Sequence, residues 1–405
     1  MDPDIPVFPV VYGDPVPPPV VAGSHGGNHR GLASAATGRS QRVMVPPSSE
    51  YTTHKELTPR DIQSLQDQGF TMGLIQAMSR NSQLFPLRIW VVDNSGSMSM
   101  QDGHRIIETR KSNDVRLVSC SRWTELQETV DYHCQMAALL QAATVFRLLN
   151  DPGTIVGPQQ FSIGETDPGN IPQELQLART TMQRATPGGV TPLSLHVNEI
   201  RSNIMTMMQQ DLMSTGRKVA IILATDGLPT DTRGYSGEGP RAEFESSLRS
   251  LEGLPVWIVI RLCTDEEAVV EYYNNLDSNL ELSLEVLDDF TGEAQEVCAK
   301  NPWLNYALPL HRIREMGFHH RLFDLLDERM LSVDELREFL YLLFGQDELD
   351  GIPDPQVDFA TFLDMVSIVV HRANDQWNPV TKRMGPWIDM RKLKSCYSEA
   401  GCCVM

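Results

Sequence analysis

Three apolar runs punctuate the middle of the chain: Leu87, Arg88, Ile89, Trp90, Val91, Val92; then Val219, Ala220, Ile221, Ile222, Leu223, Ala224; then Pro255, Val256, Trp257, Ile258, Val259, Ile260. Short runs of this kind read as strands buried on both faces. Between and after them, apolar residues recur at helical spacing. Arg122 to Leu149, with Leu126, Val130, Met136, Ala137, Leu140, Val145 and Leu148, predicts a long first helix. Thr154 to Ile163 predicts strands, Ile171 to Arg184 a helix, and Pro192 to Met213 a helix that opens directly after Thr191. Asp265 to Leu276 predicts another helix. Leu282, Leu284 and Val286 alternate with polar residues as an outer strand does, and Asp289 is placed to cap a closing helix ending near Lys300. This alternation predicts an α/β domain built on a doubly wound, mostly parallel sheet with right-handed crossovers.

The flanks differ in pattern. Residues 1–55 are rich in Pro, Gly and Ser without a period, so they are expected to form a disordered arm. Thr58 to Asn81 predicts one or two short helices with Leu65, Phe70, Leu74 and Met78 on one face, packed on the neighbouring sheet. After Trp303 the chain reads as helical, with Arg321 to Phe344 and Phe359 to Val370 amphipathic. The resulting division is an arm (1–55), a helical lead-in (56–84), the α/β domain (85–303), a small C-terminal helical module (304–378) and a basic tail (379–405). Asp324 to Glu335 and Asp350 to Thr361 resemble EF-hand calcium loops. Leu326 and Arg329 stand at the third and sixth positions of the first, and Thr361 at the last position of the second, so a degenerate, metal-free pair is expected.

Candidate chemistry follows two of the three strands. Asp93, Asn94, Ser95, Gly96 and Ser97 leave the first, and Asp226 and Gly227 leave the second; Gly188, Gly189, Val190, Thr191 and Pro192 lie between them. Asp93, Ser95, Ser97, Thr191 and Asp226 are all hard oxygen donors, the set that Mg²⁺ or Mn²⁺ prefers. Two carboxylates in one pocket repel each other unless a cation lies between them. Each motif alone is equally compatible with a helix cap or a turn; the three occurring in order after suitable strands favour a shared site. A metal that only stabilises the loops is the reading between these two.

The stretch from Phe85 to Trp303 resembles a von Willebrand factor type A (VWA) domain, a Rossmann-like fold, on the strength of these same residues. In that family a D-x-S-x-S loop, a threonine and an aspartate form the metal-ion-dependent adhesion site. The resemblance implies that Asp93, Ser95, Ser97, Thr191 and Asp226 hold one divalent cation, Mg²⁺ or Mn²⁺. It further implies a protein partner that offers an acidic side chain to the open position on the ion. Met100 to Cys120 is longer than a compact first loop requires. His104 to Ile107 and Val115 to Val118 can pair as a hairpin, placing Arg105, Arg110, Lys111 and Arg116 beside the site; an ordinary polar surface loop is the other reading.

Composition narrows the setting. Seven cysteines lack paired spacing, no apolar run is long enough to span a bilayer, and the start shows no secretory pattern. An intracellular member at the cytosolic face of a membrane is expected, because Cys402, Cys403, Val404, Met405 fit the C-a-a-X pattern for a prenyl group on Cys402. Cys396 is placed for a second, palmitoyl anchor among Lys382, Arg383, Arg391, Lys392 and Lys394. The total charge of −19 places about −22 on residues 56–380, since residues 1–55 are balanced and 381–405 carry five bases against two acids. That acidity argues against nucleic-acid binding and for a body that stands off anionic lipid. Phosphate-loop, dinucleotide, zinc-protease and nucleophile-elbow motifs are absent. A non-enzymatic, metal-dependent protein-binding module is therefore expected. The alternatives are a metal-assisted hydrolase or transferase, with His104 the nearest base to Ser95 and Ser97, and a scaffold whose ion only stabilises loops.

Overall fold

The computed structural model describes residues 56–108, 115–208 and 212–398. The arm at 1–55, Arg110 and Lys111, and the C-a-a-X residues Cys402 to Met405 lie outside the described residues. Two helices open the chain, α1 (Pro59–Asp67), whose Thr58 and Asp61 form a capping box, and α2 (Met72–Leu84). Strand β1 (Leu87–Val92) follows, then a hairpin of β2 (Gly103–Glu108) and β3 (Val115–Cys120), helix α3 (Arg122–Leu140), β4 (Thr144–Leu148), β5 (Gln160–Ile163) and α4 (Ile171–Arg184). Next come α5 (Leu193–Met208), α6 (Leu212–Thr215), β6 (Val219–Thr225), α7 (Glu238–Arg249), β7 (Val256–Leu262), α8 (Glu267–Asn279), β8 (Leu284–Leu287) and α9 (Phe290–Lys300).

Six strands form one sheet in the order β5-β4-β1-β6-β7-β8, with every neighbouring pair parallel except β4 and β5. The α/β architecture with a mostly parallel sheet is thus as expected. Side chains alternate between faces. Ile89, Val91, Ile221, Leu223 and Ile258 meet Val197 and Ile200 of α5, Phe244 of α7 and Tyr273 of α8; Trp90, Phe146, Ile222 and Val259 meet Leu126 and Val130 of α3 and Met182 of α4. Helices on both faces explain why these strands are apolar throughout. From β1 the chain moves outward to β4 and later returns to β6 on the other side of β1. The direction of winding therefore reverses between β1 and β6, the place where open α/β sheets leave a crevice at their carboxyl ends.

Strand β4 departs from expectation. The first helix stops at Leu140, where Gln141 adopts a left-handed backbone (φ +48°), and Thr144 to Leu148 form a fully buried strand rather than a last helical turn. Val145 and Leu148 fit a helical stripe as well as a strand, and Ala142 and Ala143 carry no turn signal. Only Gln160 to Ile163 of the expected Thr154–Ile163 strand region pairs. Asp289 does cap α9, accepting from the Gly292 amide at 2.6 Å.

The remaining chain forms α10 (Leu308–Glu315), α11 (Arg321–Glu328), α12 (Val333–Phe344), α13 (Phe359–Arg372), a small ribbon of β9 (Gln376–Asn378) and β10 (Arg383–Gly385), and α14 (Met390–Ser398). These share one core with the lead-in, in which Leu65, Phe70, Leu74 and Met78 are buried with Leu336, Phe339 and Val366. The lead-in therefore packs on the helical module, not on the sheet. Gly73 lies so close to α12 that a Cβ would stand 2.4 Å from the Gly345 amide. Trp387, Leu393 and Tyr397, within the basic stretch, belong to the same core, and the Tyr397 hydroxyl donates to the Leu331 carbonyl at 2.7 Å. The acids of the EF-like stretches are engaged locally: Glu335 completes a capping box with Ser332 and pairs with Arg329, and Asp358 caps α13. Glu315, fully buried at the end of α10, ties this module to the α/β domain through Arg261 of β7 (3.2 Å) and His133 of α3 (3.1 Å), and pairs within its own helix with Arg312 (2.8 Å).

Candidate metal centre

The carboxyl ends of β1 and β6 deliver Asp93 and Asp226 side by side, and the Asp93 amide donates to the Ala224 carbonyl at 2.9 Å. Both carboxylates are buried, at 0% and 2% exposure. Asp93 Oδ1 accepts from the Ser95 amide at 2.8 Å and Oδ2 from the Thr225 hydroxyl at 2.6 Å. A single 3₁₀ turn at Gly96–Ser99 then folds the first loop over the strand ends. There Ser95 Oγ lies 3.0 Å from Ser97 Oγ, which donates to Asp226 Oδ1 at 2.8 Å. Ser95, Ser97 and Asp226 thus form a chain of oxygen atoms to which Asp93 is joined through the Ser95 amide.

The fifth, Thr191, sits on a loop tied to both others. Gly188 donates to the Asn94 carbonyl at 2.8 Å and Gly96 to the Gly189 carbonyl at 3.4 Å, joining the second loop to the first. The Thr191 amide donates to Thr230 Oγ1 at 2.9 Å, and the Thr230 amide returns to the Thr191 carbonyl at 3.0 Å, joining it to the third. Behind these loops Asn94 and Asn150 interlock: the Asn150 amide donates to Asn94 Oδ1 (2.8 Å), and Asn150 Nδ2 donates to the Val190 carbonyl (2.8 Å). Gly189 has φ +93°, and a Cβ there would fall 2.4 Å from Asn150 Oδ1, so only glycine fits. Gly96, Ser97, Gly188 and Gly189 are exposed while Asp93, Ser95, Thr191 and Asp226 lie beneath them, which leaves the site open on one side.

Burial, and then the neighbouring charge of Asp226, push Asp93 up to about 6, against the hydrogen bonds from Thr225 and Ser95. Asp226 is raised as well, by burial, although Ser97 and Arg122 favour its ionised form. Two adjoining carboxylates that both resist ionisation, set among hydroxyl oxygens, fit a divalent cation by the chemistry of the donor set. Asp93, Ser95, Ser97, Thr191 and Asp226 are the residues that would hold it.

Several contributors were not evident from spacing. Thr225, Asn94 and Asn150 are ordinary polar residues in the sequence, and only the fold shows what they position. Arg122 is the more telling omission. It is the first residue of α3, where the helix dipole disfavours a cation, and that misplacement is a signal that a buried carboxylate awaits it. Its guanidinium reaches Asp226 Oδ2 (3.0 Å), Asp102 (2.7 and 2.5 Å) and Glu266 (2.9 Å). The hairpin exists as β2 and β3, but Arg105 turns back onto Glu128 of α3 at 2.9 Å. His104 lies on β2, where its amide donates to Glu125 at 2.8 Å. Cys396 is half-buried against the helical core, and burial raises its thiol. A second acidic group, Glu293, Glu296 and Asp327, brings carboxylate oxygens within 4.8 Å of one another, but Arg314 pairs with Glu293 and Asp327 and supplies a counter-charge there.

No family model matches the chain, and no curated protein matches it. Solved structures similar to part of it include the PilB minor pilin from Streptococcus sanguinis and a single-substitution mutant of that pilin. Each has 14% identity and a TM-score of 0.33, over 50% of this chain and 56% of the pilin chain. The chain therefore spans little more than half the length of those pilins.

Proposed function

We propose that the region from Phe85 to Trp303 is a VWA-like, non-enzymatic module that binds a protein partner through a divalent cation, Mg²⁺ or Mn²⁺. The observation that carries this reading is the hydrogen-bonded line from Asp93 through the Ser95 amide, and on through the Ser95 and Ser97 hydroxyls to Asp226, with both aspartates buried beneath an exposed rim at the switch point of the sheet. When bound, the ion supplies a localised positive charge that an acidic side chain can reach from outside.

The chain's own residues do the rest. Asp93 is fixed by Thr225 and by the Ser95 amide, so one carboxylate is already oriented. Ser97 is exposed and links the Ser95 hydroxyl to Asp226, and the Asn94–Asn150 lock holds the loop bearing Thr191 against the first. A preorganised donor set spends little free energy on ordering itself when ion and partner arrive. The test is capture of interacting proteins by the full chain with Mg²⁺ and with chelator, alongside Asp226→Ala. Partners should be retained only with Mg²⁺ and only by the unsubstituted chain; capture indifferent to both changes sinks the reading.

A further inference from the structure

The side chain of Arg122 is 1% exposed, yet it carries a charge at a helix N-terminus. Both circumstances are unfavourable for a cation, so its carboxylate partners must compensate. They come from three separate loops: Asp102 ahead of the hairpin, Asp226 after β6 and Glu266 ahead of α8. The two oxygens of Asp226 are divided, with Ser97 donating to Oδ1 and Arg122 to Oδ2. A fixed positive charge thus already sits on one of the two carboxylates that would hold the divalent ion.

Resting on the metal-binding reading above, we propose that Arg122 is a resident counter-cation of the site, one that holds Asp226 and the three loops in place without a divalent ion and opposes that ion's binding. The loops are then formed before the ion arrives, and the affinity for the ion is held down by a like charge beside it. Weak, reversible loading is the consequence, rather than an ion required for folding.

The experiment is calorimetric titration of MgCl₂ into the chelator-stripped full chain and into Arg122→Met and Arg122→Lys, with melting curves of each in EDTA and in saturating Mg²⁺. Arg122→Met is expected to bind Mg²⁺ about tenfold or more tightly than the unsubstituted chain, because a nearby like charge is gone. It should also melt lower in EDTA and recover with Mg²⁺. Arg122→Lys should fall between, since lysine keeps the charge but cannot span three carboxylates. If methionine prevents folding, Arg122→Gln takes its place. A folded neutral variant whose Mg²⁺ affinity equals or falls below that of the unsubstituted chain overturns the proposal and leaves Arg122 a structural tie. No Mg²⁺ binding by the unsubstituted chain or by any variant overturns the metal reading itself, and this inference with it.

Discussion

At the residue scale, the site depends on a few positions with no freedom to change. Gly189 combines a left-handed backbone with a contact that excludes a Cβ. Gly189→Ala should cost about 1–3 kcal/mol in denaturant unfolding and weaken Mg²⁺ binding, as the second loop is pushed from Asn150. A variant within 0.5 kcal/mol of the parent would show that this loop yields easily. Asp93 gives a pH dependence whose sign is fixed by its environment. Its folded value is raised from 3.8 to about 6, so the folded metal-free chain holds a proton that the unfolded chain has released. Stability of the metal-free protein should therefore fall as pH rises from about 4 through 6 and then level off in this contribution. Mg²⁺ needs the carboxylate ionised, so the rise in melting temperature on adding Mg²⁺ should be larger at pH 7.5 than at pH 5. Equal shifts at the two pH values would mean that Asp93 does not bind the ion. The candidate donors were legible because Asp93, Ser95, Ser97 and Asp226 follow recognisable strands and Thr191 immediately precedes a recognisable helix. Arg122, Thr225 and Asn150 were not, because each acts on a residue 40 or more positions away in the chain, and no local pattern records that distance.

At the element scale, the same contrast explains what the sequence shows of the fold. Strands β1, β6 and β7 announce themselves because both faces are covered and the residues are apolar throughout. Strand β4 is equally buried, but it is five residues long and follows α3 after a three-residue connection, so helical periodicity runs straight through it. The docking of α1 and α2 was hidden for a different reason. Their apolar face was plain in the sequence, whereas its counterpart on α12 lies more than 250 residues further along. Likewise, exposed Arg391, Lys392 and Lys394 give the last helix the look of a soluble tail, although Leu393 between them is fully buried. Leu393→Ala should destabilise the protein by about 3 kcal/mol in urea unfolding. A loss below 0.5 kcal/mol would mean that α14 docks only loosely.

At the scale of the whole molecule, Glu315 joins the helical module to the sheet. Burial lowers His133 to about 4, which makes it a neutral hydrogen-bonding partner near pH 7, so Arg261 and Arg312 supply the positive charge that holds Glu315 ionised. Glu315→Ala should cost about 3–5 kcal/mol, since it strips the buried Arg261 of one of its two carboxylates. The central claim concerns the carboxyl end of the sheet, where loops after β1 and β6 and the loop bearing Thr191 meet. Its most direct test is calorimetric titration of Mg²⁺ into the metal-free full chain, repeated with Asp93→Ala and Asp226→Ala. Saturable binding to the unsubstituted chain, lost in both variants while their melting curves remain cooperative, is the predicted result. No heat of binding in the unsubstituted chain, or binding that survives both substitutions, would contradict it.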